Sequence, residues 1–254
     1  MFPILSRNQI KFIRTLKQKK YRYKFKNYMV EGEKLVTDIL RHKAEMVAYL
    51  VVDKSYEIPF AIPNVNVYTV DTETFRMLSN MVQPQGILAV CKIPHQYFSN
   101  GWNTELFSLY LDGIQDPGNL GTILRSAEWF GIKQVFIGAG TVDPFGPKTV
   151  QAGMGSHSYL QLFQAHPADF IHWPHPLILA DMHGKNAYQH NWTIGGVLVL
   201  GNEGQGVSSS FDPQNPLRLT IPAATHSRSE SLNVSMACTV FLTLRHKFSL
   251  EGNH

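Results

Sequence analysis

Residues 106–138 carry the strongest constraint on the fold. They read as an apolar run, LFSLYLDGI, a helical stripe in NLGTILRSAEWF stopped by Gly131, and a second apolar run, KQVFIG. Two strands joined through a helix cannot form a hairpin; the crossover makes them parallel, and a parallel sheet needs helices on both faces. The same alternation continues. YLQLF (159–163), PLILAD (176–181), GGVLVLG (195–201) and LRLTIP (217–222) are expected strands, and PKTVQAGMG opens with a short helix. Residues 230–247 form an expected closing helix with Leu232, Met236, Val240 and Leu244 on one stripe. Periodicity alone therefore predicts an α/β fold with a doubly wound parallel sheet.

The first third of the chain has a different grain. Residues 9–20 place Ile10, Ile13 and Leu16 on one helical stripe, and residues 31–43 repeat the pattern with Leu35, Val36, Ile39 and Leu40. Strands are expected at 46–53, 65–71 and 86–93, with Thr72 capping a short helix TETFRMLSN. The polar, glycine-containing stretch HQYFSNGWNT breaks the periodicity. The expected organisation is a small α/β domain over 1–94, a linker over 95–104 and a larger α/β domain over 105–254.

Charge separates the two parts. The chain carries +4 in all, yet residues 1–30 hold nine Lys and Arg with no Asp or Glu, which leaves −5 for the rest. Phe12, Tyr21, Tyr23, Phe25 and Tyr28 are threaded through that basic block. Cations interleaved with aromatic rings suit a polyanion with stackable bases, so Arg14, Lys17, Lys19, Lys20, Arg22 and Lys24 are candidate nucleic-acid contacts. The competing explanation is a solvated basic helix face. No apolar run approaches the ~18 residues of a membrane span, and Arg and Lys interrupt the N-terminal stretch too early for a signal peptide. A cytoplasmic protein without a membrane partner is expected. Cys91 and Cys238 lie in apolar patterns with no ligand partner at metal spacing, so reduced buried thiols and no metal site are expected.

In open α/β sheets ligands bind beyond the carboxyl ends of strands. Three stretches there carry unusual polar content. In DGIQDPGNLGTILRSAEWFG, Pro117 and Gly118 shape a turn, Asn119 occupies an expected N-cap position, and Arg125 falls between Leu124 and Ala127 near the apolar stripe. In VLVLGNEGQGV, Gly201, Gly204 and Gly206 follow a strand and hold Asn202 and Glu203 among them. In IPAATHSRSESLNVSMA, Ser227, Ser229, Ser231, Asn233 and Ser235 sit at every second position. That is more than capping needs, although Ser227 and Glu230 fit a capping box. Neither a dinucleotide fingerprint nor a P-loop spacing occurs, which weakens a dinucleotide-dependent oxidoreductase, and the histidines of 166–190 lack metal-ligand spacing.

In their order and separation, these three stretches resemble the motifs of the SpoU/TrmH family of RNA 2′-O-ribose methyltransferases, within the SPOUT superfamily. The likeness covers roughly 106–247. The stretch KFIRTLKQKKYRYKFKNYMVEGEKLVTDIL resembles the L30e-like substrate-binding extension carried by many members. The resemblance implies a SPOUT-type parallel sheet with a C-terminal deep trefoil knot, a fold that pattern reading would not offer because knots are so rare. It implies S-adenosylmethionine as methyl donor, held by Leu200, Gly201, Asn202, Gly204, Ile221, Leu232 and Asn233. It also implies a homodimer with a shared active site, in which Asn119 and Arg125 approach the donor bound by the partner while Ser231 and Asn233 line the ribose entrance. Ribosomal RNA is favoured over transfer RNA as substrate.

The chemistry sets its own demands. A ribose 2′-hydroxyl is a weak nucleophile until its proton leaves or its developing charge is stabilised. The family gives that role to the position of Arg125, yet a guanidinium stays protonated and does not accept a proton. Arg125 is therefore expected to fix the target phosphate and stabilise the developing alkoxide. Glu203 is expected to orient the loop and the Asn119 turn by hydrogen bonds rather than to act as a base. The alternative is an RNA-binding protein with a vestigial cofactor site.

Overall fold

The apolar runs resolve into two sheets in the computed structural model, which describes residues 2–99, 101–192 and 195–251. Asn100, within the expected linker, and residues 252–254 of the expected larger domain lie outside the described residues. Contacts divide the chain into two units, one of residues 1–95 and 143–158, the other of residues 96–142 and 159–254. Segment 143–158, expected with the larger domain, thus packs with the N-terminal residues.

The first unit is built on a four-stranded sheet of β1 (Asn27–Glu31), β2 (Val47–Asp53), β3 (Val67–Val70) and β4 (Ile87–Lys92), in the order β1-β4-β2-β3. β4 runs antiparallel to both neighbours, and β2 and β3 are parallel. Helices α1 (Arg7–Thr15), α2 (Lys19–Phe25), α3 (Glu33–Lys43) and α4 (Thr72–Leu78) complete it. Leu5, Ile13, Leu16, Met29, Val51, Phe75, Leu78 and Leu88 form its core.

Three expectations are corrected here. The helix expected over 9–20 breaks, because Gln18 is extended (φ −100°, ψ 132°) and starts α2 anew. β1 went unseen because Tyr28, Met29 and Val30 are all buried, so the run has no alternation to betray a strand. The cap of α4 is Asp71, whose carboxylate accepts from the Thr74 amide at 2.8 Å, rather than Thr72.

The second unit holds six parallel strands. They are β5 (Phe107–Asp112), β6 (Gln134–Ile137), β7 (Gln161–Gln164), β8 (Leu177–Asn186), β9 (Gly196–Gly201) and β10 (Leu217–Thr220), in the order β10-β8-β9-β5-β6-β7. All five pairings are parallel, as the crossover argument requires. Helix α5 (Pro117–Trp129) buries Leu120, Ile123, Leu124 and Ala127, and Gly131 ends it with φ +74°. The short helix α6 (Pro147–Ala152) belongs to the first unit, while α7 (Val234–Glu251) packs against α5, where Ser126 and Thr239 hydroxyls meet at 3.0 Å. An aromatic cluster of Tyr110, Phe136, Phe163, Phe170 and Phe211 fills one side of the sheet.

Strand order fixes where a ligand can bind. From β5 the chain moves outward to β6 and β7, then crosses to β8, β9 and β10 on the other side. The reversal falls between β5 and β9, whose last residues Asp112 and Gly201 lie in register. The turns leaving these two ends stand at the switch point, the usual ligand position in an open parallel sheet.

Candidate active site

Beyond β9 the chain closes a tight hairpin, with Asn202 and Gly206 exchanging backbone hydrogen bonds of 3.0 and 2.9 Å. The Asn202 side chain braces it. Its amide donates to the Gly113 carbonyl at 2.9 Å, and its oxygen accepts from the Gly204 and Gln205 amides. Gly201 is required by packing, since a Cβ there would stand 2.1 Å from the Gly206 carbonyl carbon. Asp112 accepts from the Ser208 amide at 2.7 Å, which ties the end of β5 to the far side of the same loop.

The start of α5 differs from expectation in a way that matters. Asp116 is the N-cap, accepting from the Asn119 amide at 2.7 Å, and Pro117 fills the first turn, where its missing N–H is harmless. Asn119 is therefore inside the helix, and its side chain is released from capping. It donates to Glu203 Oε1 at 2.8 Å, while its oxygen accepts from Asn233 Nδ2 at 2.9 Å. Glu203 thus meets the first turn of α5 through its carboxylate.

The closing helix also starts later than expected, at Val234 rather than residue 230. Its cap is Asn233, whose oxygen accepts from the Ser235 amide at 2.9 Å and the Ser235 hydroxyl at 2.6 Å. The expected Ser227–Glu230 capping box is absent; Ser227 instead accepts from the Ser229 amide at 3.3 Å. Asn233 thus holds a helix start with its oxygen and Asn119 with its nitrogen. Three loops from distant parts of the sequence are joined through Glu203, Asn119 and Asn233.

The remaining predicted residues surround this chain of hydrogen bonds unevenly. Leu200 and Gly201 are buried at the end of β9, so Leu200 offers a ligand backbone groups only. Gly204 and Ile221 stand at the loop surfaces, and every residue from 222 to 233 is exposed, Ser231 and Leu232 included. Arg125 is exposed rather than close to the apolar stripe. Six residues beyond Asn119, it is displaced about 9 Å along α5 and about 120° around it, so it faces away from the network. Trp129, one turn further, is 80% exposed on that face.

In the first unit, the basic residues divide by role. Arg14, Lys19, Lys20 and Lys24 are exposed. Lys17 donates to the Met77 and Ser79 carbonyls at 3.0 and 2.7 Å, holding the end of α4. Arg22 is a correction to the predicted RNA contacts. Its guanidinium is buried, with Nε and Nη2 donating to Asp143 at 2.8 and 2.5 Å and Nη1 donating to the Leu16 carbonyl at 2.7 Å. The Tyr23 hydroxyl donates to the other oxygen of Asp143 at 2.9 Å. Nothing in the sequence near Arg22 announces a partner 121 residues away.

Among the described residues no cluster of His, Cys, Asp or Glu is arranged to hold a metal ion, and no helix is long and apolar enough to cross a membrane. Cys91 and Cys238 are buried, and burial pushes both thiols well above their ordinary pKa.

Comparison with known proteins places this geometry. A family model described as the SpoU rRNA Methylase family matches residues 106–243, and one described as the MRM3-like substrate binding domain matches residues 7–89. The chain is similar to 23S rRNA (guanosine(2553)-2′-O)-methyltransferase RlmP of Bacillus subtilis, 29% identical over 93% of this chain and 96% of that protein. A solved structure from Porphyromonas gingivalis, described as belonging to the TrmH family of RNA methyltransferases, superposes with a TM-score of 0.85 at 35% identity, covering 96% of this chain and 99% of the other. An AdoMet-bound rRNA methyltransferase from Sinorhizobium meliloti gives 0.80 at 26% identity, covering 96% of each chain.

Proposed function

The chain belongs to the SpoU rRNA methylase family, and we propose that it transfers the methyl group of S-adenosylmethionine to a ribose 2′-hydroxyl of ribosomal RNA. The observation that carries this reading is the Glu203–Asn119–Asn233 chain, which gathers the stretches that follow β9, β5 and β10. Such bracing holds a polar site in one geometry, as catalysis by positioning demands.

The donor's place is the crevice beside the Asn202–Gly206 hairpin. A Cβ added at Gly206 would meet nothing within 4 Å, so the hairpin's outer backbone is open to a ligand. Leu200, Gly201, Asn202 and Gly204 would hold the nucleoside through main-chain groups, with Ile221 and the half-exposed Leu232 covering its apolar face. Likeness to the SpoU family supports a knotted ending, in which the chain beyond β9 and β10 is drawn into a deep trefoil knot.

In the reaction the 2′-oxygen attacks the sulfonium methyl in line. The C–S bond breaks as the O–CH3 bond forms, S-adenosylhomocysteine leaves, and the hydroxyl proton passes to phosphate or water. Arg125 fixes the target phosphate and stabilises the developing alkoxide. Because it faces away from its own Asn119, it serves the site of a second copy. The exposed Trp129, Leu232 and Met236 support a homodimer through that region. Arg14, Lys19, Lys20 and Lys24 contact RNA, and the protein works in the cytoplasm.

The test is transfer of labelled methyl from S-adenosylmethionine to ribosomal and transfer RNA pools lacking the modification, followed by mapping of 2′-O-methyl sites. Arg125→Ala should lose transfer by at least ~100-fold with the fold intact, and Asn119→Ala should lose less. Absence of both donor binding and transfer would favour a non-catalytic RNA-binding protein.

A further inference from the structure

α2 carries three aromatic residues, and only Tyr23 among them is shown in a hydrogen bond that anchors the helix. Tyr23 is tied to Asp143 and Arg22 is buried beside it, so this side of the helix anchors it. Tyr21 and Phe25 stand one turn apart elsewhere on α2. Their rings are parallel within 13°, with centroids 6.1 Å apart. Phe25 remains 39% exposed, propped edge-on by Phe12 of α1 at 5.2 Å. Each ring has a lysine beside it. The Lys20 ammonium lies 5.9 Å from the Tyr21 centroid and that of Lys24 lies 5.6 Å from the Phe25 centroid. No acid occurs in the first thirty residues.

A cationic surface alone would bind any polyanion, duplex or single-stranded, through counterion release. Two parallel rings, Phe25 exposed and Tyr21 partly so, add something that a duplex cannot use, because its bases are already stacked and its deep groove is closed to side chains. An acidic peptide would engage the lysines and gain nothing from the ring faces. We propose that Tyr21 and Phe25 are a stacking platform for unpaired bases of RNA, with Lys20 and Lys24 holding the flanking phosphates. The RNA segment that docks on α2 is accordingly a loop, bulge or single strand. This rests on the RNA methyltransferase reading and names the form of RNA that the N-terminal unit takes.

The experiment measures binding of the full chain to a ~12-nucleotide adenosine oligomer, an abasic oligomer of equal charge and a duplex of equal length. Tyr21→Leu/Phe25→Leu keeps apolar packing against Phe12 and removes the flat faces. It should weaken binding to the adenosine oligomer by roughly tenfold or more, leave the abasic and duplex affinities within about twofold, and be rescued in part by Phe25→Trp. Lys20→Gln/Lys24→Gln should weaken all three and flatten the salt dependence. Equal loss on oligomer and duplex, or no loss on either, would overturn the platform. So would tighter, ring-dependent binding to polyglutamate or to vesicles of phosphatidylglycerol. Methyl transfer separates the two readings. A chain that methylates no RNA yet keeps ring-dependent preference for single strands sinks the enzyme and retains the platform; active transfer with indifferent ring variants does the reverse.

Discussion

Replacing Arg22 by Met keeps the length of the stem and removes the guanidinium from the interior of the first unit. Arg22 and Asp143 side chains are only 5% and 6% exposed. The substitution strands Asp143 Oδ2 and the Leu16 carbonyl, while Oδ1 retains the Tyr23 hydroxyl and the Phe145 amide at 2.9 Å. An unpaired buried carboxylate costs about 3–5 kcal/mol, which for a chain of this size lowers the thermal midpoint by ~10 °C. Asp143→Leu should cost a similar amount by stranding the guanidinium. The double variant should recover about half of the summed loss or more, because an apolar pair of similar volume replaces a desolvated ion pair. Hydrogen exchange read by mass spectrometry localises the effect: protection should fall in α1, α2 and residues 143–158 and hold in β5, β9 and α5. Additive single losses, or a loss under ~1 kcal/mol for Arg22→Met, would show that the pair is not a buried clamp. A reduced salt dependence of RNA binding at unchanged stability would restore Arg22 to the RNA surface.

Two further outcomes follow from named atoms. Gly201→Ala drives a Cβ to 2.1 Å from the Gly206 carbonyl carbon and 2.2 Å from the Val207 nitrogen, so stability should fall by about 1–3 kcal/mol and donor binding with it. Gly204→Ala, whose nearest neighbour would be Asn202 Oδ1 at 3.5 Å, should be stable in a urea titration, and equal losses would refute the argument. His157 is buried between the Tyr28 and Phe145 rings, and desolvation lowers its pKa from 6.5 to about 4. The unfolded chain therefore takes up this proton first. The neutral imidazole's contribution is complete above pH 6.5 and is lost as pH falls toward 4, by up to about 3 kcal/mol. Urea midpoints measured across that window should fall in the wild type and fall less in His157→Phe; parallel curves would exclude His157 as the source.

How much of this was legible depended on the range of the determining interaction. The six parallel strands follow from apolar runs and crossover length, both local properties. Asp116 and Pro117 carry the local signature of the α5 start, an acidic cap before a first-turn proline, while Asn119 two residues on is an equally competent cap by residue type. The late start of α7 was less accessible, since Ser227, Ser229 and Asn233 are all competent caps and the choice is settled by the bond from Asn233 to Asn119, 114 residues away. Glu203 sits between glycines, and its bond to Asn119, 84 residues away, is of a kind that the local sequence suggests without naming the partner. Charge in the first thirty residues foretells an exposed basic surface but not the burial of Arg22, since nothing local distinguishes Arg22 from its exposed neighbours.

The excursion of residues 143–158 bears on inheritance. A gene fusion joins segments end to end, yet Asp143, Phe145 and His157 complete the first unit from within the span matched by the methylase model. Recombination that exchanged only residues 1–95 would bring in a new α2 without the carboxylate that its buried arginine needs. Shuffling the first unit intact requires this internal segment as well, because the partner of its buried arginine lies there.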